Sequence, residues 1–291
     1  MLVTTEVTLT QVFMVDGVPT DCTGPVTVTV KRLDGTEIAG SPFTASHPGV
    51  GTYTFPFTEQ AQVDMFSGDW SGNLAGAVVV LRDYIEVVGG FYFGLAEART
   101  ALKAAIMRDP QTYTDAYLTQ ARTGIEQECD LISGQAWVPR YARFLLNGTG
   151  TNELVVPDMN LRTVRAASVA PSAAGPFTAL TVDELAACAA EPSGIIARDD
   201  GAVWPLGHRN VIVEYEHGAD MPTVEVHNGA LARLRTFTNL INPSLPDRVL
   251  IYTTNEGATY RLTAAGPKST GIDTIDAAYR RDTVDKFWLA R

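Results

Sequence analysis

Apolar residues in the first ninety positions recur at every second residue. Val26, Val28 and Val30 alternate with Thr27, Thr29 and Lys31, and Tyr53, Phe55 and Phe57 alternate with Thr54 and Pro56. Period two puts each set on one face of an extended chain, so these segments read as strands with one packed side. Four runs rich in β-branched and aromatic residues, VTTEVTLTQVFMV, VTVTVKR, YTFPFT and AVVVLRDYIEVV, carry this signal. Asp16-Gly17, Asp34-Gly35, Pro48-Gly49 and Ser67-Gly68 read as the turns between strands. Trp70, ahead of the last long run, has the bulk to anchor a core between two sheets. The spacing predicts a β-sandwich of immunoglobulin or fibronectin-III type over residues 1–89. Val88-Gly89-Gly90 reads as a hinge after it.

From Phe91 the period changes to that of a helix. LAEARTALKAAIM forms one helical segment, which Asp109-Pro110 ends because proline disfavours helix in the residue before it. TYTDAYLTQARTGIEQECDLIS forms a second, with Thr112 and Asp115 as its start and Gly134 as its stop. Leu118, Ala121, Ile125, Cys129 and Ile132 fall on one stripe of this helix, and the opposite face is polar and acidic. Residues 137 to about 220 return to strand patterning. Val211, Val213 and Tyr215 share one strand face, with Glu214 and Glu216 on the other. Asn147-Gly148 and Asp199-Asp200-Gly201 read as hairpin turns. A third helix over 222–241 buries Ala230, Leu231, Leu234, Phe237 and Ile241. A hairpin over 248–262 turns at Asn255-Glu256-Gly257. The fold class is therefore α+β: a sandwich, then a helical domain over 91–265 with a β insertion at about 137–220, then a tail over 266–291.

The order of these segments, with the phrases Trp137-Val138-Pro139-Arg140, Asn147-Gly148 and Leu161-Arg-Thr-Val-Arg165, resembles the head-to-tail adaptor (connector) proteins of tailed bacteriophages, particularly those of actinobacteriophages. The resemblance runs from about Tyr92 to Tyr279, and STGIDTIDAAY is similar to the endings of such proteins; the tail past Tyr279 departs from them. It implies a structural virion protein, made in the host cytoplasm and located in the neck. Twelve copies would form a ring under the portal protein, joined below to a stopper or other tail-completion protein. Double-stranded DNA would pass through without sequence-specific binding. The residues expected at subunit or partner contacts are Arg122, Trp137, Arg140, Arg143, Tyr279, Phe287 and Trp288. Phe287 and Trp288 qualify because aromatic side chains near a chain end dock on their own chain or on a neighbour.

Composition narrows the alternatives. The formal net charge is −11; residues 1–90 hold 3 basic and 10 acidic side chains, which leaves 19 and 23 for residues 91–291. Phosphate backbones are gripped by Lys and Arg, so this balance argues against nucleic-acid binding, while an acidic channel wall lets DNA slide. Cys22, Cys129 and Cys188 are odd in number and lack a CxxC, which argues against zinc or a disulfide framework. The longest apolar run, Ala75 to Leu81, is far short of the roughly 20 residues that span a bilayer, and the N-terminus has no secretory pattern. These features predict no membrane association and a cytoplasmic site of synthesis.

Chemistry finds little support. His208, His217 and His227 lie near Glu214, Glu216 and Asp220, but not at a metal-ligand spacing such as HExxH. No GxSxG is present, and Gly148-Thr149-Gly150 precedes a strand where a phosphate loop would precede a helix. No cofactor is expected and the chain reads as a non-enzyme. Two competing readings stay open. One is a carbohydrate- or receptor-binding phage protein that presents Trp70 and Tyr84 on a sandwich face. The other is a hydrolase with the sandwich as accessory module.

Overall fold

The computed structural model describes residues 1–101, 113–173, 175–239, 251–253, 259–261 and 268–281. The N-terminal part contains β1 (Val7–Val12), β2 (Met14–Val15), β3 (Val18–Pro19), β4 (Thr27–Arg32), β5 (Phe43–Thr44), β6 (Ser46–Gly49), β7 (Thr52–Phe57), β8 (Asp64–Leu74) and β9 (Ala77–Val87). These strands make a sheet ordered β1-β7-β6, a sheet ordered β5-β4-β8-β9 and a small β2-β3 hairpin. The alternation read from the sequence is the alternation observed. Val28 and Val30 point inward from β4, Phe66 and Trp70 from β8, and Tyr53, Phe55 and Phe57 from β7, to form one core. Trp70 is 0% exposed within it.

Two sheets share this core. With β1 taken as strand B, β1-β7-β6 follows B-E-D and β5-β4-β8-β9 follows C′-C-F-G, pairings compatible with the immunoglobulin arrangement. Two turn assignments change. Ser67-Gly68 lies inside β8, where Gly68 pairs with Asp83 across an unbroken antiparallel ladder. The β8-β9 connection is Ala75-Gly76, both at positive φ (51° and 85°), the backbone a tight two-residue hairpin requires. Past Pro48-Gly49, the turn into β7 is completed at Gly51 (φ 63°), where a Cβ would lie 2.6 Å from the Thr20 nitrogen.

The second part contains α1 (Leu95–Ala101), α2 (Asp115–Ser133), β10 (Arg140–Gly148), β11 (Glu153–Val155), β12 (Leu161–Val169), β13 (Thr178–Ala179), α3 (Val182–Ala186), β14 (Cys188–Glu191), β15 (Ile195–Arg198), β16 (Gly207–His217), α4 (Val224–Asn239), β17 (Ile251–Thr253), β18 (Thr259–Arg261) and α5 (Asp273–Arg280). Helices α2, α4 and α5 share a core in which all five stripe residues of α2 are buried, together with Val226, Ala230, Leu234, Ile275 and Tyr279. Of the third-helix stripe, Leu231 is partly buried against this core, whereas the Phe237 side chain and Ile241 lie outside the described residues. Thr114, not Thr112, caps α2: its side chain accepts from the Tyr117 N–H. Gly134 ends the helix in the left-handed conformation.

The β insertion is built differently from the hairpins expected. Sheet β10-β16-β12-β13 and sheet β11-β15-β14 enclose a core of Trp204, Tyr215, Leu154 and Ile196. Asn147-Gly148 does not fold β10 back on β11; β10 pairs with β16, and β11 pairs with β15 in the other sheet. Gly148 is required there for a close approach, since a Cβ would sit 1.7 Å from the Pro205 oxygen. Asp199-Asp200-Gly201 is a turn, but it leads into an irregular segment and then β16. Strand β17 pairs with β18, and the turn expected at 255–257 lies outside the described residues. Val88-Gly89-Gly90 is pinned: the Gly89 N–H donates to the Pro139 oxygen at 2.9 Å, and a Cβ on Gly89 would meet the Pro139 ring at 2.7 Å.

Candidate functional site

Among the described residues, a dense group of ionisable side chains lies where β9, α2 and β10 meet. Arg140, at the start of β10, reaches three carboxylates: Glu86 of β9 at 2.7 Å, Glu126 at 3.4 Å and Asp130 at 3.2 Å. Glu126 and Asp130 are four residues apart on α2, so one helical face presents both. Arg122, one turn earlier, donates to the Phe93 carbonyl and lies over the Phe91 ring at 3.3 Å. The Tyr92 N–H donates to Glu126 at 2.9 Å, and the Tyr92 hydroxyl donates to Asp130. The Trp137 N–H donates to that same hydroxyl at 3.0 Å. Residues 91–93 thus cover what the sequence presents as the polar face of α2.

Burial sets the protonation of this group. It pushes the Asp130 carboxyl up to about 7, against the attraction of Arg140 and the Tyr92 hydrogen bond. Burial also raises Glu126, opposed by the Tyr92 N–H and by Arg140 and Arg122. It pushes the Cys129 thiol far above its ordinary range, which makes Cys129 an inert buried hydrophobe.

A second ionic group runs across the outer face of the β10-β16-β12 sheet. Arg143 donates to Glu214 at 3.0 Å, Arg165 donates to Glu216 at 2.8 Å, and Arg165 also lies 5.4 Å from the Tyr141 ring centre. Antiparallel register brings these partners side by side, since Arg143 faces Glu214 and Tyr141 faces Glu216. Next to this ladder, a cleft of about 290 Å³ separates Leu33 and Met65 of the sandwich from Tyr141 and Phe144 of β10.

The expected contact residues separate into three groups. Arg122, Trp137, Arg140 and Tyr279 are buried within the chain, packed against its own residues. Tyr279 is 0% exposed and packs on Gly229 of α4, whose absent Cβ would lie 3.1 Å from the ring. Arg143 is partly exposed, in its pair with Glu214. Phe287 and Trp288 lie outside the described residues. The phrase STGIDTIDAAY folds α5 onto the same core. The Asp276 carboxylate accepts from the Thr270 N–H and hydroxyl, both at 2.7 Å, and from the Ser269 hydroxyl.

The remaining candidates are accounted for within the fold. His227 bridges the Tyr92 carbonyl at 3.0 Å and Glu97 at 2.8 Å, tying α4 to α1. His217 is buried beside Asp158. Among the described residues, no three His, Cys, Asp or Glu side chains converge as metal ligands, and no helix is long and apolar enough to cross a membrane. Of the two aromatics considered for recognition, Trp70 is core, whereas Tyr84 is 68% exposed, with Val78 and Val80 exposed on the same face of β9. The sequence named Tyr84 for that face but not Val78 and Val80, because period two shows that one face is packed but not what the other face meets.

Solved structures similar to this chain include three from gene transfer agent particles. They are described as the neck of an empty gene transfer agent particle computed with C6 symmetry (14% identity, TM-score 0.44, covering 65% of this chain and 89% of that one), the neck of a native gene transfer agent particle computed with C12 symmetry (17%, 0.38, 64% and 87%) and the virion of a native gene transfer agent particle (16%, 0.45, 65% and 89%). No family model and no curated protein matches the sequence.

Proposed function

We propose that this chain is a structural subunit of the neck of a tailed phage or phage-like particle, a head-to-tail adaptor. Twelve copies close into a ring below the portal protein, around the DNA channel, and meet a stopper or tail-completion protein beneath. The observation that carries this reading is the order of elements from α1 to α5: helix, helix, β layer, helix, hairpin and short helix, in the sequence order that resembles phage adaptors. Ring closure requires a heterologous interface in which one face of a subunit fits a different face of the next. Arg143 and the C-terminal Phe287 and Trp288 keep their proposed contact roles, while the four buried residues hold the subunit together. Exposed apolar side chains at Leu131, Leu206 and Met221 supply further surface for a neighbour. The net charge of −11 suits a wall past which DNA slides without being held.

The test is removal of residues 282–291 from the gene in its phage. Because α5 ends at Arg280 and every described residue of the helical core precedes the cut, the shortened subunit is expected to melt within about 2 °C of the full chain. Filled heads and free tails are expected to accumulate unjoined. Normal yields of infectious particles would refute the tail's role, and absence of the chain from purified necks would refute the adaptor reading itself.

A second reading rests on the exposed Tyr84 with Val78 and Val80: the sandwich serves as a recognition face for carbohydrate or a cell-surface receptor. Retention of glycans by the isolated protein, lost in Tyr84→Ala, would favour it over the adaptor.

A further inference from the structure

The Arg140 cluster joins two bodies through a single sandwich side chain. Glu126 and Asp130 are fixed to each other by the pitch of α2, and Arg140 is fixed by β10 and by the neighbouring Gly89–Pro139 hydrogen bond. Glu86 alone comes from the sandwich, and its side chain is 25% exposed, so it has water to turn into. We infer that this cluster is a proton-operated latch, closed on the sandwich while Asp130 is neutral and loosened at Glu86 once Asp130 is ionised.

The argument is one of charge count. Facing Asp130 and Arg140 are Glu86 from β9, Tyr92 from the connection, Arg122, Glu126 and Cys129 from α2, and the amino group of Met1, which donates to the Glu86 main-chain oxygen at 2.6 Å. With Asp130 protonated, the side chains present two cations against Glu86 and Glu126, and the Met1 amino group adds a third cation until it loses its proton. Ionised, Asp130 adds a third carboxylate in a place water cannot screen. Two of the three carboxylates share a helix and cannot separate, so the repulsion is relieved where the anion is free to leave, at Glu86. Burial lowers the pKa of the Met1 amino group, so it loses its proton more readily and shifts the balance in the same direction as pH rises.

The sign follows from linkage. The Asp130 carboxyl is raised from 3.8 to about 7 on folding, so the stability it contributes is complete below pH 4 and is lost as pH rises through about 7. Closure should therefore weaken between pH 5.5 and 8.5. The reporter is the Gly89 amide, which bonds across the junction to Pro139. Hydrogen exchange of the full chain, corrected for the intrinsic pH dependence of exchange, is expected to show its protection falling about tenfold or more over that range. In Asp130→Asn, which keeps the shape and cannot ionise, the step is expected to vanish. Carboxyl-carbon NMR of the wild type gives an independent readout, with Asp130 expected to titrate near 7. Constant protection in the wild type, a step that survives in Asp130→Asn, or an Asp130 midpoint near 4 would each overturn the latch.

Discussion

Arg140 and Arg143 stand three residues apart on the same strand and carry the same charge, yet their surroundings give them different weight. Arg140 is buried against three carboxylates, two of them from α2. Its removal strands anions out of water, and breaking a buried ionic group this way costs on the order of 3–5 kcal/mol. Arg140→Met is therefore expected to lower the urea midpoint sharply and to expose the 88–91 connection to proteolysis. Arg143 is only partly buried with Glu214, where water still screens the pair, and such a pair contributes on the order of 1 kcal/mol. Arg143→Ala should unfold at nearly the wild-type midpoint, so any defect it causes in particle assembly would report on contacts with other subunits. Trp70 gives a third contrast. Wholly buried between the sheets, it is expected to cost about 3–5 kcal/mol on replacement by Ala, read in the same denaturation experiment.

Helix α2 shows how an element serves two masters. Its apolar stripe builds the helical core with α4 and α5, while Arg122, Glu126 and Asp130 meet residues 91–93 and β10. The stripe is legible in the sequence because 3.6-residue periodicity and core burial are the same fact. The second buried face is not. Nothing in the spacing of Arg122 and Glu126 distinguishes them from a solvated acidic face; the covering segment arrives from about thirty residues away. End signals are more local, and Gly134 was readable where the capping threonine was displaced by two residues. Thr114→Ala removes a side-chain acceptor from the first turn and should destabilise by about 1 kcal/mol, seen as a lower melting temperature by circular dichroism.

At the scale of the whole molecule, the connection between sandwich and helical layer behaves as a fastened joint. Gly89 lies against Pro139, Val88 bonds to Met1, and Glu86 reaches Arg140. The α5 segment is likewise drawn into the core by Ile275 and Tyr279, with the Asp276 turn setting its direction. A subunit fastened at both ends suits a ring component, which must hold one shape while its outer surfaces meet neighbours. This predicts that the full chain unfolds in one cooperative step by calorimetry, and that Glu86→Gln splits the transition into separable sandwich and helical parts, since it removes the sandwich's ion pair with Arg140.

The sequence by itself determined the strand faces of the N-terminal sheets, the stripe of α2 and the paired faces of β16. Each follows from side-chain alternation along a single element, which needs no knowledge of distant residues. Only the tertiary structure decided which strands pair, so Asn147-Gly148 leads from one sheet into another, and β4 lies between β5 and β8. The same holds for charge. Whether an arginine is buried among carboxylates or left at the surface depends on what another part of the chain lays over it, and that is a property of packing in three dimensions.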